Sequence, residues 1–121
     1  MSHHILIVDD EAPIREMLKL ALTKQGYRVT TASSTAEAGK VVKDDPPQLV
    51  ITDLQLEDSD GMGLIARLKA AQPQLPVILL TGVLFDQQVV EETFADKISV
   101  YLHKTSPLST IVREVKRCLD R

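Results

Sequence analysis

Five short apolar runs, each separated from the next by a stretch of helical periodicity, leave few folds open to this 121-residue chain. The runs are Ile5 to Val8, Arg28 to Ala32, Leu49 to Thr52, Val77 to Leu80 and Ile98 to Leu102. Most are nearly continuous rather than alternating, the pattern of strands covered on both faces. Between them lie helix signatures. Ile14, Met17, Leu18, Ala21 and Leu22 share one helical face, with Pro13 suited to the first turn and Gly26 placed to end the helix. Ser34 and Glu37 have the spacing of a capping box for a second helix, and Pro46-Pro47 forbids its continuation. A third helix is expected from Gly61 to about Ala71. A fourth, from Asp86 to about Ala95, rests on a thin stripe of Val89, Val90 and Phe94. Leu108, Ile111, Val112, Val115 and Leu119 mark a fifth.

Strands alternating with helices imply a parallel sheet with helices on both faces, wound by right-handed crossovers. No repeat, low-complexity tract or linker interrupts the pattern, so one domain spanning 1–121 is expected. The chain has no Trp and only two Tyr and two Phe, which leaves the core to aliphatic side chains. A net charge of −3 argues against direct nucleic-acid binding, which needs a basic footprint. Cys118 is the only cysteine, so no intramolecular disulfide can form. No secretory signal is visible, and the longest apolar run is far short of a membrane span. A cytoplasmic location is expected. His3 and His4 read as N-terminal surface residues, and His103 as pointing away from Lys104.

Polar residues close four of the runs. Asp9 and Asp10 follow the first, Asp53 the third, Thr81 the fourth and Lys104 the fifth. In an open parallel sheet these positions share the carboxyl edge, where ligands bind. Three carboxylates offer oxygen ligands to a hard divalent cation such as Mg²⁺. The Asp53 oxygen is a competent nucleophile toward phosphorus. A hydroxyl at Thr81 and an ammonium at Lys104 can neutralise phosphoryl oxygens. Each residue alone has a plainer reading: Asp10 as a helix cap, Asp9 and Asp53 as solvated strand ends, Thr81-Gly82 as a turn and Lys104 as a surface lysine. Four strand ends supplying one complementary set is hard to reconcile with coincidence.

The ordered set resembles the receiver domain of two-component response regulators, a chemotaxis-regulator-like domain. The segments that carry the resemblance are Ile5 to Glu11 with Arg15, Asp53-Leu54 with Asp60-Gly61, Thr81-Gly82, and Tyr101-Leu102-His103-Lys104. It covers the whole chain. It implies an α/β, flavodoxin-like, doubly wound (βα)5 three-layer sandwich with strand order 2-1-3-4-5. It implies Asp53 as the phosphoacceptor, served by a histidine kinase or a histidine phosphotransfer protein. It also implies Mg²⁺ on Asp10, Asp53 and the backbone carbonyl of Gln55, with Asp9 acting largely through water. Thr81 and Lys104 would bind the phosphoryl group. Thr81 and Tyr101 would form a switch that remodels the face of the fourth helix, fifth strand and fifth helix. That face would control an output domain or partner, or support a homodimer. Departures are Thr105 where proline often follows the lysine in a cis peptide, Glu57 in place of a proline, Lys97-Ile98 in place of Gly-Ala, and Gly82 in place of alanine.

Three other readings remain. A receiver-like interaction module could work without phosphorylation. An aspartate-based phosphatase would want an acid two residues after Asp53, where Gln55 cannot protonate a leaving group. A flavodoxin would need a Ser/Thr/Gly-rich loop after the first strand, where paired aspartates would repel the flavin phosphate.

Overall fold

In the computed structural model, residues 3–53, 56, 61–82 and 98–120 are described. The elements run β1 (His4–Val8), α1 (Ala12–Lys24), β2 (Arg28–Ala32), α2 (Thr35–Asp44), β3 (Leu49–Thr52), α3 (Met62–Ala71), β4 (Val77–Thr81), β5 (Val100–His103) and a C-terminal helix (Leu108–Leu119). The helix expected near residues 86–95 lies outside the described residues, as do Gln55 and Glu57. The strands form one parallel sheet in the order β2-β1-β3-β4-β5. This is the flavodoxin-like order that the resemblance implied.

A strand's period of two divides each continuous apolar run between two cores. Ile5 and Ile7 of β1 pack with Ile51, Leu80, Leu18 and Leu22 of α1, and Ile111 and Val115 of the C-terminal helix. Leu6 and Val8 face the other way, against Val50, Ala38 of α2 and Leu64 and Leu68 of α3. Both sets are almost wholly shielded from water.

Local signals act largely as the sequence suggests. The Ser34 hydroxyl accepts the Glu37 N–H at 3.1 Å and caps α2. The Glu37 carboxylate accepts from Ser33 Oγ at 3.1 Å, so Ser33 joins the cap. Gly26 follows α1 with φ +96°, a conformation that L side chains rarely adopt. Among the described residues no peptide bond is cis, so Lys104–Thr105 is trans.

Three expectations need correction. His4 is not a surface residue: it is the first residue of β1 and 1 % exposed. Its Nε2 lies 2.8 Å from Thr30 Oγ1, and its N–H donates to Gln48 Oε1 at 2.7 Å. Pairing with Arg28 of β2 is what draws the strand one residue further than the apolar run. Met17 is 38 % exposed rather than in the core, because α1 seats on the sheet through Leu18 and Leu22. β5 starts at Val100 rather than Ile98, and as an edge strand it is only half-buried.

Candidate functional site

Register decides which residues meet. Val8 is level with Ala32 and Thr52, Thr52 with Leu79, and Thr81 with His103. One further backbone bond extends several of these ladders. The Asp9 N–H donates to the Ala32 carbonyl at 3.0 Å, Asp53 N–H to Val8 at 3.2 Å, and Lys104 N–H to Thr81 at 2.9 Å. Asp9, Asp53 and Lys104 are therefore fixed at the carboxyl edge by the sheet itself.

Alternation along the chain turns Asp9 inward and leaves Asp10 exposed. Asp9 Oδ1 accepts the Glu11 N–H at 2.9 Å, and Arg15 Nη1 donates to the Asp9 carbonyl at 2.7 Å. Glu11 occupies the N-cap of α1 and no side chain caps it, so Asp10 is not a helix cap. Asp9 is 2 % and Asp53 4 % exposed, which removes the reading of either as a solvated strand end.

The Lys104 ammonium sits among these acids. It is 2.8 Å from Asp53 Oδ2, 2.9 Å from Asp9 Oδ2 and 3.1 Å from Glu11 Oε2. Its three N–H donors thus have three carboxylate partners. Burial works against the lysine's charge, but the hydrogen bonds to Asp53, Asp9 and Glu11 outweigh it and raise its pKa. Burial also raises the Asp9 carboxyl above its ordinary value, against the Glu11 N–H and Lys104; the Asp53 charge adds to the rise.

One oxygen from each of Asp9, Asp10 and Asp53 lies within 4.8 Å of the others. At that spacing two like charges repel by roughly 3 kcal/mol at an effective dielectric of 20. Four carboxylates, counting Glu11, face the Lys104 ammonium and the Arg15 guanidinium at the Asp9 carbonyl, so the acids outnumber the cations. All its described donors are hard oxygens, and the set fits a small divalent cation that keeps part of its water shell.

Thr81 ends β4 and is fully buried. Parallel-paired residues share a sheet face, so Thr81, His103, Leu79 and Tyr101 lie on one side. Tyr101 is half-buried against the Ile65, Val77 and Leu79 cluster. A Cβ added to Gly82 would meet the Lys104 side chain (Cδ) at 3.7 Å, an ordinary contact.

A family model described as "Response regulator receiver domain" matches residues 5–116. The chain belongs to that family. It is 45 % identical over 85 residues to the transcriptional regulatory protein GlrR of Escherichia coli, covering 68 % of this chain and 19 % of that protein. It is 36 % identical over 119 residues to the transcriptional regulatory protein AfsQ1 of Streptomyces coelicolor, covering 97 % of this chain and 52 % of the relative. The chain therefore spans about half of AfsQ1 and a fifth of GlrR. Its fold superposes on a CheY-like response regulator receiver domain protein from Methanospirillum hungatei with a TM-score of 0.90, at 25 % identity over 99 % of this chain and 95 % of that one. Among the described residues, no helix of this receiver domain is long and apolar enough to cross a membrane.

Of the residues singled out in the sequence, the receiver fold brings Asp9, Asp10, Asp53 and Lys104 together and sets Thr81 and Tyr101 on one face beside them. Gln55 lies outside the described residues. Sequence reasoning missed Glu11 as a partner of Lys104; three consecutive acids at a strand end were the available signal. It also missed that Arg15 holds the Asp9 carbonyl, which a lone arginine one turn into a helix does not announce.

Proposed function

We propose that this receiver is a phosphorylation-driven switch with Asp53 as its phosphoacceptor. The observation that carries the reading is the Lys104 ammonium at 2.8 Å from Asp53 and 2.9 Å from Asp9, three side chains from three different strand ends. The donor is a phosphohistidine on a histidine kinase or a histidine phosphotransfer protein. An Asp53 carboxylate oxygen attacks phosphorus, the P–N bond breaks, and the departing imidazole nitrogen takes up a proton. An aspartyl phosphate results, and water later attacks it to return the carboxylate and inorganic phosphate.

Lys104 shifts from carboxylate to phosphoryl oxygen as charge develops there, without leaving the pocket. The Thr81 hydroxyl donates to a second phosphoryl oxygen. Asp10 and Asp53, with the Gln55 carbonyl that the resemblance adds, would hold Mg²⁺. Asp9 would hold one of the metal's waters, since Glu11 N–H and Lys104 already occupy its two oxygens. When bound, the cation offsets repulsion between Asp53 and the incoming phosphoryl group.

Thr81 moving toward the phosphate frees space beside Tyr101, and the aromatic turns inward. This biases a two-state face formed by β5 and the C-terminal helix, together with the fourth helix that the resemblance implies. That face controls an output domain or partner, or pairs two receivers. GlrR and AfsQ1 are transcriptional regulatory proteins longer than this chain, which supports an output domain elsewhere in the parent protein. The receiver itself does not bind nucleic acid and acts in the cytoplasm. It turns over no metabolite, catalysing only its own phosphorylation and dephosphorylation.

Intact mass after incubation with acetyl phosphate tests the reading. One added phosphoryl group that needs both Mg²⁺ and Asp53, and is absent from Asp53→Asn, is the expected result. No gain in a folded protein would instead favour an interaction module that works without phosphorylation.

A further inference from the structure

We propose that His103 is a positioning residue: its ring ties the residue after Thr81 to the residue after Lys104, and so fixes the two phosphoryl-binding side chains relative to each other. This rests on the phosphoacceptor reading of the site.

The bonds define one tautomer. The Thr105 N–H donates to His103 Nδ1 at 3.1 Å, so that nitrogen carries a lone pair. Thr105 Oγ1 lies 2.6 Å from the same nitrogen and can donate to it as well. A neutral ring then has its proton on Nε2, and Nε2 stands 3.2 Å from the Gly82 carbonyl. Both ring nitrogens are engaged in the sense that their protonation allows.

Position gives the clamp its consequence. The bond from Lys104 N–H to the Thr81 carbonyl is the last backbone rung between β4 and β5 among the described residues. Just past it, the His103 ring supplies a further link between the two segments. Its two anchors, Gly82 and Thr105, directly follow the two side chains that must converge on a phosphoryl group. The arrangement needs a residue with an N–H at 105: a proline there could not donate to Nδ1. The histidine and the threonine therefore form one device.

Three variants separate the arms. His103→Phe keeps ring bulk and loses both bonds. His103→Asn keeps an acceptor near Nδ1 for the Thr105 N–H. His103→Gln keeps a donor near Nε2 for the Gly82 carbonyl. In the unphosphorylated wild type at pH 8, imidazole nitrogen NMR should show a bare Nδ1 and a protonated Nε2, and the Thr105 amide should exchange slowly. That protection should vanish in His103→Phe and persist in His103→Asn. With Mg²⁺, the phosphorylation rate constant at saturating acetyl phosphate should fall about tenfold in His103→Phe, as misplacement of catalytic groups does. Asn and Gln should fall between. The half-saturating acetyl phosphate concentration should stay unchanged.

A protonated Nδ1 overturns the clamp. So does a His103→Phe protein with the wild-type rate constant, or loss of rate in Phe, Asn and Gln alike with the Thr105 amide still protected, because a bulk or packing defect would do that. Were His103→Phe not to fold, the Asn and Gln pair decides: wild-type rates in both overturn the proposal. A wild type that takes no phosphoryl group sinks the phosphoacceptor reading and the positioning role together, while the tautomer still reports on the clamp itself.

Discussion

Lys104 holds two buried carboxylates at bonding distance while the exposed Asp10 opens the pocket to water on one side. Removing the ammonium leaves Asp9 and Asp53 facing each other without a counter-charge. Breaking a fully buried pair costs about 3–5 kcal/mol, and the open side of this pocket reduces the penalty. We expect Lys104→Met to be less stable by about 2–3 kcal/mol in urea with a chelator present. Added Mg²⁺ should recover part of the loss, since a cation between the acids replaces the missing charge. An unchanged unfolding midpoint would mean that the lysine is not neutralising the pocket. At this scale the sequence was informative about type and silent about geometry. Strand alternation says that only one of Asp9 and Asp10 can face inward, but it does not say which. The Glu11 contact with Lys104 spans 93 positions, and no local pattern encodes it.

Elements were legible where a local chemical rule forces the outcome, as with the Ser34 cap and the positive φ of Gly26. They were misread where packing decides. The apolar stripe of α1 includes Met17, yet the helix buries only the part that meets the sheet and the C-terminal helix. The start of β1 was hidden because a histidine breaks the apolar run, although pairing with β2 carries the strand through it. At the same end of the sheet, Arg28 of β2 donates to Asp45, the residue capping α2, at 2.8 Å. That bond lowers the Asp45 pKa below its ordinary 3.8, with the Arg28 charge acting in the same direction. A carboxyl depressed on folding lends stability above its unfolded value and loses it as pH falls through the folded one. The melting temperatures of wild type and Arg28→Gln should therefore differ by a small, constant amount from pH 7 to about pH 5. The gap should close on acidification below 3.8, and shrink in 1 M salt because both groups are exposed. A gap that widens as pH falls would assign the pair no such role.

For the molecule as a whole, periodicity supplies strands and helices but not neighbours. The order 2-1-3-4-5 came from the resemblance, and the register that levels Asp9, Asp53 and Lys104 is a property of the assembled sheet. The site consequently exists only in the folded chain: Lys104 meets Asp9 across 95 positions, and the acids come within 4.8 Å only when β1 and β3 pair. A ligand that binds such a site and not the unfolded chain stabilises the fold by mass action. At a hundred times its dissociation constant the gain is about 2.7 kcal/mol. For a domain of this length that corresponds to a rise in Tm of about 10 °C. Titrating metal-free protein with Mg²⁺ should raise Tm in steps that follow saturation. Asp10→Asn should weaken the effect, and Asp10→Asn with Asp53→Asn should abolish it. Asp10→Asn should also melt higher than wild type without metal, because it relieves carboxylate repulsion without touching a Lys104 partner. An equal Mg²⁺-dependent rise in the double variant would move the cation to another part of the surface and leave the acidic pocket without its metal.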